Sequence, residues 1–227
     1  VPSEQLRVLD IASGPEMLKR HLPESLQDSV ISVDINAHHF RNGGGKKVVG
    51  SFLNLPFQDN SMDQCNLALS LHYTKFIPSG GEYERLRVLT EMNRVLKKGG
   101  RGIISMIYNI DLKDSKAFGA LIDELGFRIV GEQSGMVSAG DTYRASIHTL
   151  EKTGDIPEIQ AAVASSGDKV LYERFGKTKL EGLKFKRSKS QKLKNSRKIV
   201  KAVTLSSTKG ARDINIEFND SDKKTYL

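Results

Sequence analysis

The sequence predicts an α/β protein: a seven-stranded, mostly parallel sheet with helices on both faces, followed by a basic C-terminal extension. Three observations carry that expectation. Short apolar runs rich in Val, Ile and Leu alternate with amphipathic segments through residues 5–150, which is how parallel βαβ units read. Two of those runs end on an acid, Asp10 and Asp34, directly before a turn. Charge divides the chain: residues 1–150 hold 17 Lys+Arg against 17 Asp+Glu, so residues 151–227 carry the remaining 18 basic and 10 acidic residues and all of the net +8. The shift sets a boundary near Lys152-Thr153-Gly154-Asp155, with a domain over 1–153 and an extension over 154–227 that is expected to be partly disordered or folded back.

The elements follow in order. Gln5–Ile11 reads as the first strand and Glu16–Leu22 as a short helix ended by Pro23. Val30–Ile35 is a second buried strand, and Asn42–Lys47 a glycine-rich loop. Lys47–Phe52 is a third strand, followed by the turn Leu55–Ser61 and a fourth strand over Met62–Leu71. In Glu82–Leu96 the residues Leu86, Leu89, Met92, Val95 and Leu96 recur three or four apart, the spacing of one helix face. Lys97-Lys98-Gly99-Gly100 then closes that helix with cations and glycine. Arg101–Tyr108 is a fifth strand, Ser115–Leu125 a helix stopped by Gly126, and Phe127–Val130 and Thr142–Leu150 are two more strands. With no convincing helix between them, the last two are expected to pair antiparallel at one edge of the sheet.

Bulk properties exclude several classes. Hydrophobic content of 38% with 27% charged residues suits a soluble protein with a core. No apolar run reaches the roughly 18 residues of a membrane span, and no secretory signal pattern opens the chain. The single cysteine, Cys65, excludes an internal disulfide and a cysteine-clustered zinc site, which points to an intracellular location, cytoplasmic or nuclear. No His, Cys and Asp set has metal-ligand spacing, so no metal is expected.

The two acids suggest what the domain binds. The turn Ala12-Ser13-Gly14 after Asp10 is built of small residues, which lets backbone approach a ligand closely. Asp34 ends the next strand 24 residues later, close to the spacing of about 20 at which an acid accepts from ribose hydroxyls in nucleotide sites. A carboxylate suits a vicinal diol because it accepts two hydrogen bonds at once.

The blocks VLDIASGPE (8–16), VISVDIN (30–36), LPFQDNSMDQCNLALSLHY (55–73), EMNRVLKKGG (91–100) and RGIISMIY (101–108) resemble those of class I S-adenosylmethionine-dependent methyltransferases, over roughly residues 6–150. The resemblance implies a Rossmann-like methyltransferase fold and S-adenosyl-L-methionine as cofactor. It assigns the methionine part to Asp10, Ala12, Ser13 and Gly14, the ribose to Asp34 with Ile35, and the adenine to Ser51, Phe52 and Leu53. Ser70, Leu71 and His72 would face the methyl group. Three positions depart from the family. Ala12 and Glu16 stand where glycine is usual; Ala12 is a mild change so long as its backbone angles are ordinary, whereas Glu16 sets a bulky acid near the cofactor's carboxylate. Ser51 stands where many members carry an acid, and accepts without charge assistance. The family's preceding helix is also missing ahead of the first strand, as expected of a domain excised from a parent chain.

Methyl transfer from a sulfonium needs positioning more than a fixed catalytic residue, so the acceptor has to be argued by elimination. Ser70-Leu71-His72-Tyr73 lacks the proline pair of the best-known base amino-methylating enzymes. Cys65, near the start of its strand, reads as core rather than as the nucleophile that carbon methylation of pyrimidines requires. His72, past the end of the fourth strand, is the candidate general base, with packing against the loop 74–83 as the equally weighted alternative. His38 and His39 are expected in a solvated loop. Between Lys169 and Lys201 lie 13 Lys/Arg and two acids, an electrostatic footprint for phosphates; a solvated tail or an address is the other reading. The expectation is therefore a methyltransferase acting on nucleic acid, RNA favoured, through this basic segment. Its competitors are an inactive methyltransferase-like binding module in a larger assembly, with protein partners or parent-chain domains, and a protein or small-molecule methyltransferase.

Overall fold

A computed structural model describes residues 6–20, 22–41, 45–71, 74, 81–107, 115–139 and 141–165. Seven strands form one sheet: β1 Val8–Ile11, β2 Val30–Asp34, β3 Lys46–Val49, β4 Met62–Ala68, β5 Leu96–Ile107, β6 Phe127–Ala139 and β7 Asp141–Lys152. Their spatial order is β3-β2-β1-β4-β5-β7-β6. The first five strands run parallel, and β7 runs antiparallel to both β5 and β6. The fold is the Rossmann-like, mostly parallel sheet that the sequence predicts. The expected antiparallel pair is present, with β7 inserted between β5 and β6.

Each buried strand is apolar because both of its faces are covered. All four residues of β1 are buried. One face packs Leu9, Ile11, Val33, Cys65, Leu67, Ile104 and Met106 into the main core. The helices of this core are α3 Gly81–Val95, α4 Ser115–Glu124 and α5 Pro157–Ser165, which contribute residues such as Leu89, Phe118 and Ile159. The other face carries a smaller cluster, Val8, Val30, Ile103 and Ile147 with Leu18, Leu22 and Leu26, supplied by the single-turn helices α1 Met17–Arg20 and α2 Glu24–Gln27. Pro23, expected to end α1, is also the N-cap of α2, where its fixed φ suits a helix start.

Several boundaries move for identifiable reasons. The fourth strand stops at Ala68 because Leu69 takes φ +51, a left-handed turn that a strand cannot continue through. The helix ends at Val95, and Leu96, expected as its last residue, pairs with Met62 to open β5. The expected cap Lys97–Gly100 is a break in that ladder, which resumes at Gln64↔Arg101, with Gly99 left-handed at φ +77 and Lys97 2.8 Å from Asp63. The last two strands are longer than their apolar runs, because, apart from a register shift at Val130, the ladder between them continues out to Ala139↔Asp141. Gly126 does end α4, at φ +69. A Cβ there would stand 2.5 Å from the Gly154 carbonyl oxygen, so the close approach of 154 to the helix end requires glycine. The segment after Gly154 continues into α5, whose Val163 carbonyl accepts from the Tyr83 hydroxyl on α3 at 3.0 Å.

Candidate functional site

The carboxyl ends of β1 to β4 are stitched together by the residues that leave them. Ser13 N donates to Val33 O at 3.0 Å, and Gly50 N donates to Asp34 O at 3.0 Å. Ser70 Oγ donates to Ala68 O at 2.7 Å and lies 3.4 Å from Ala12 O. Gly14 N donates to Asp34 Oδ2 at 2.9 Å. That last bond joins the turn after β1 to the acid that ends β2. The two features that stood out in the sequence, 20 residues apart, therefore meet at one edge of the sheet, where ligands of α/β folds bind.

The turn is strained. Ala12 has φ +53, Gly14 φ +53 and Glu16 φ +61. The condition under which Ala12 was a mild replacement for glycine is not met, since its backbone is left-handed, a conformation that costs an L-residue about 1–2 kcal/mol. Glu16 carries the same strain with a buried side chain, yet its carboxylate turns toward the sheet. It lies 3.3 Å from Lys47 Nζ on β3 and 3.4 Å from Ser32 Oγ on β2. Lys47 also donates to the Phe40 carbonyl at 2.9 Å and thereby holds the 3-10 turn Ala37–Phe40. The departure from glycine is thus an anchor between the opening turn and the segment after β2.

Asp10 is 2% exposed, and its carboxyl is pushed up from an ordinary 3.8 to about 8 by burial first, then by the charges of Glu16 and Asp34. A cation arriving beside it would favour the ionised form. Ser13 Oγ is buried with no hydrogen-bond partner among the described residues. Asp34 accepts from Gly14 N, from Asn36 N at 2.8 Å and from His39, whose Nδ1 lies 3.2 Å away. Ile35, next along, is 75% exposed, an apolar surface at the rim of the site. His39 is exposed, as expected, and also touches the acid. Only its distance of five residues from Asp34 signals this in the sequence, because the 3-10 turn that folds it back is capped by Asn36.

The remaining expected residues divide. After β3, Ser51 pairs with Asn54 across a tight turn and its hydroxyl accepts from Leu53 N at 3.2 Å. Phe52 and Leu53 pack against the main core. Ser70 stands at the edge with Ala12, as above, whereas Leu71 is 2% exposed and belongs to the main core. His72 and the segment Lys169–Lys201 lie outside the described residues. Cys65 is fully buried, which pushes its thiol up, with Lys152 opposing; it is an inert core residue.

The most family-specific blocks prove to be structural supports. Arg94 of EMNRVLKKGG donates to Leu55 O (2.8 Å), Phe57 O (2.7 Å), Asp59 (2.7 Å) and Glu91 (2.8 Å), clamping the turn of LPFQDNS. Glu91 in turn accepts from Leu55 N at 2.7 Å. Asn93 donates to the carbonyls of Leu125 and Gly154. These contacts fix the approach to β4 and leave the carboxyl edge to the small residues and acids.

The residues present suit S-adenosyl-L-methionine. The edge offers an acid for ribose hydroxyls in Asp34, a carboxyl that a positive charge would ionise in Asp10, an unbonded hydroxyl in Ser13 and an apolar surface in Ile35. Bound there, the cofactor would supply an electrophilic methyl group on a sulfonium. Among the described residues no group of three or more His, Cys, Asp or Glu is placed to hold a metal ion, and no helix is long and apolar enough to cross a membrane.

Comparison with known proteins bears on these features. Residues 9–104 match the family model for a methyltransferase domain. A S-adenosylmethionine-dependent methyltransferase from Leishmania major superposes with a TM-score of 0.51 at 13% identity, over 66% of this chain and 67% of that one. A S-adenosylmethionine-dependent methyltransferase from Methanosarcina mazei gives a TM-score of 0.48 at 18% identity, over 66% and 93%. A complex of the Haloferax volcanii Trm112 methyltransferase activator with a methyltransferase gives 0.49 at 16%, over 68% and 86%. At such identities the likeness is one of fold. No curated protein matches the chain.

Proposed function

We propose that this chain, whose residues 9–104 match a methyltransferase-domain family model, is an intracellular S-adenosylmethionine-dependent methyltransferase of class I that binds its cofactor at the carboxyl edge and acts on nucleic acid, RNA favoured. The observation that carries the cofactor reading is the Gly14 N to Asp34 Oδ2 bond, which sets the small-residue turn and the ribose-type acid on one ligand edge. Asp10, Ala12, Ser13 and Gly14 are assigned to the methionine part and Asp34 with Ile35 to the ribose. Ser51, Phe52 and Leu53 are assigned to the adenine side, and Ser70 and Leu71 to the methyl side. His72, following them, is the proposed general base for the acceptor. The nucleic-acid reading rests on the 13 cations between Lys169 and Lys201 beside a charge-balanced domain, and it leaves room for protein partners.

The test is calorimetry with S-adenosylmethionine and S-adenosylhomocysteine. Asp34→Asn removes the charge and, with one oxygen replaced by an amide NH2, can keep only one of the bonds from Gly14 N and Asn36 N. It should weaken binding at least about tenfold to a hundredfold, the scale of one charge-assisted hydrogen bond. Truncation near residue 168 should leave that affinity unchanged while flattening the salt dependence of RNA binding. Six engaged phosphates on a single strand give a log–log slope near about −4. His72→Ala should then lower turnover on a responsive substrate with cofactor affinity intact.

A second reading is a binding module that has lost activity. The left-handed Ala12 and Glu16 in the opening turn favour it, because both positions trade glycine for strain. Absence of any binding heat at millimolar cofactor would move the balance to that reading.

A further inference from the structure

We propose that His39 is a gate on the ribose-type acid: it occupies the position on Asp34 that the second hydroxyl of a ribose diol would take, and it must swing out for both hydroxyls to bind. The inference rests on the reading that a ribose-containing cofactor binds at Asp34.

The chain of hydrogen bonds sets the protonation of His39. Asn36 Oδ1 accepts from His38 N at 3.1 Å, so the oxygen of that amide is identified by a backbone donor and cannot be exchanged with its nitrogen. Asn36 Nδ2 therefore faces His39 Nε2, at 3.3 Å, and donates to it. A ring nitrogen that accepts carries no proton, so in the neutral ring the proton sits on Nδ1. Nδ1 is 3.2 Å from Asp34 Oδ1 and donates there.

An ionised carboxylate has about four acceptor positions, two on each oxygen. On Asp34, Oδ1 takes Asn36 N at 2.8 Å and His39 Nδ1, while Oδ2 takes Gly14 N at 2.9 Å. One position remains, enough for one hydroxyl and not for a diol. Of the three present donors, the two amides belong to turns that define the edge, and their bonds are the shorter ones. The His39 contact is the longest, and its side chain is 38% exposed, so it can rotate into water without opening the core. The backbone beneath it stays in place, because Lys47 holds the Phe40 carbonyl and is itself paired with Glu16.

The experiment measures affinity for S-adenosylhomocysteine and for its 2′-deoxy form, in the full chain and in His39→Ala, with thermal unfolding as the check on folding. Removing the competing donor should tighten the diol ligand roughly threefold to tenfold, the scale of one net hydrogen bond. It should leave the 2′-deoxy ligand unchanged, since that ligand needs only the open position. Nitrogen-15 spectra of the free protein supply a readout without ligand, with the His39 proton expected on Nδ1. A ring protonated on Nε2, or an equal effect of His39→Ala on both ligands, would overturn the gate while leaving the cofactor site standing. Failure of every form to bind either nucleoside would overturn the gate and the cofactor reading together.

Discussion

Replacing Asp10 with asparagine should make the protein's stability lose most of its decline at rising pH. Asp10 is held at about 8 in the folded chain, against an ordinary 3.8, by burial and by the charges of Glu16 and Asp34. Between those values the native state keeps a proton that the unfolded chain has released. Stability is therefore greatest below about pH 4 for this group and falls as pH rises, by about 1.4 kcal/mol per unit for one proton. Across roughly four units the loss reaches on the order of 5 kcal/mol, an upper bound because the turn can relax around the new charge. Above about pH 8 both states are ionised and the cost is constant. Asparagine has the same shape and no charge, so the variant should gain on the native sequence step by step from pH 5 to pH 8.5 and then run parallel to it. Urea unfolding at half-unit pH intervals measures the difference directly. Two curves separated by a constant amount over that whole range would refute the reasoning, since the proton on Asp10 would then not be linked to folding. The same proton bears on function: a ligand that carries positive charge to Asp10 should release it near neutral pH, visible as a buffer-dependent binding heat.

Other consequences of the geometry are open to measurement. Ala12→Gly relieves a left-handed alanine at φ +53 and should raise stability by up to about 1 kcal/mol in chemical denaturation; a loss would show that the turn is held by something other than its backbone angles. Arg94→Lys cannot reproduce the four-way clamp on Leu55, Phe57, Asp59 and Glu91, and should cost about 2–4 kcal/mol, with proteolysis appearing first in the turn 55–59. His148 on β7 is buried against Phe118, and burial lowers its pKa, with Glu132 opposing. It should contribute an acid-side loss as pH falls through the unfolded value near 6.5, and His148→Gln should remove that part of the titration.

Much of the fold was legible because its causes are local. Buried strands need unbroken apolar runs, helices need a repeating face, and turns need small or cyclic residues, so strand count, the positions of α1, α3 and α4 and the stop at Gly126 were written in the order of residue types, whereas α2 and α5 were not foreseen. The two acids at strand ends were legible for the same reason, since a charged residue closing a buried run has few other uses. Partners distant in sequence were not legible. Nothing near Arg94 announces that its guanidinium reaches back 39 residues to the Leu55 carbonyl, and the motif that carries the family resemblance gives no hint that it is a clamp. Leu96 reads as the last residue of a helix until Met62 pairs with it and makes it the first residue of β5. The insertion of β7 between β5 and β6 depends on which edges are free once the parallel strands have assembled. At the site, residue type alone gave Glu16 as a hazard and His39 as a solvated side chain. Backbone φ at 16 reversed the first, sending the carboxylate to Lys47, and the 3-10 turn at 37–40 added Asp34 as a partner to an imidazole that stays exposed. Sequence by itself determined that Asp34 and the small-residue turn after β1 stand at the carboxyl edge, because strand length and alternation are properties of neighbours. Tertiary structure alone decided which way they face and what they hold, because torsion angles in a strained turn and hydrogen bonds across the sheet answer to the whole chain.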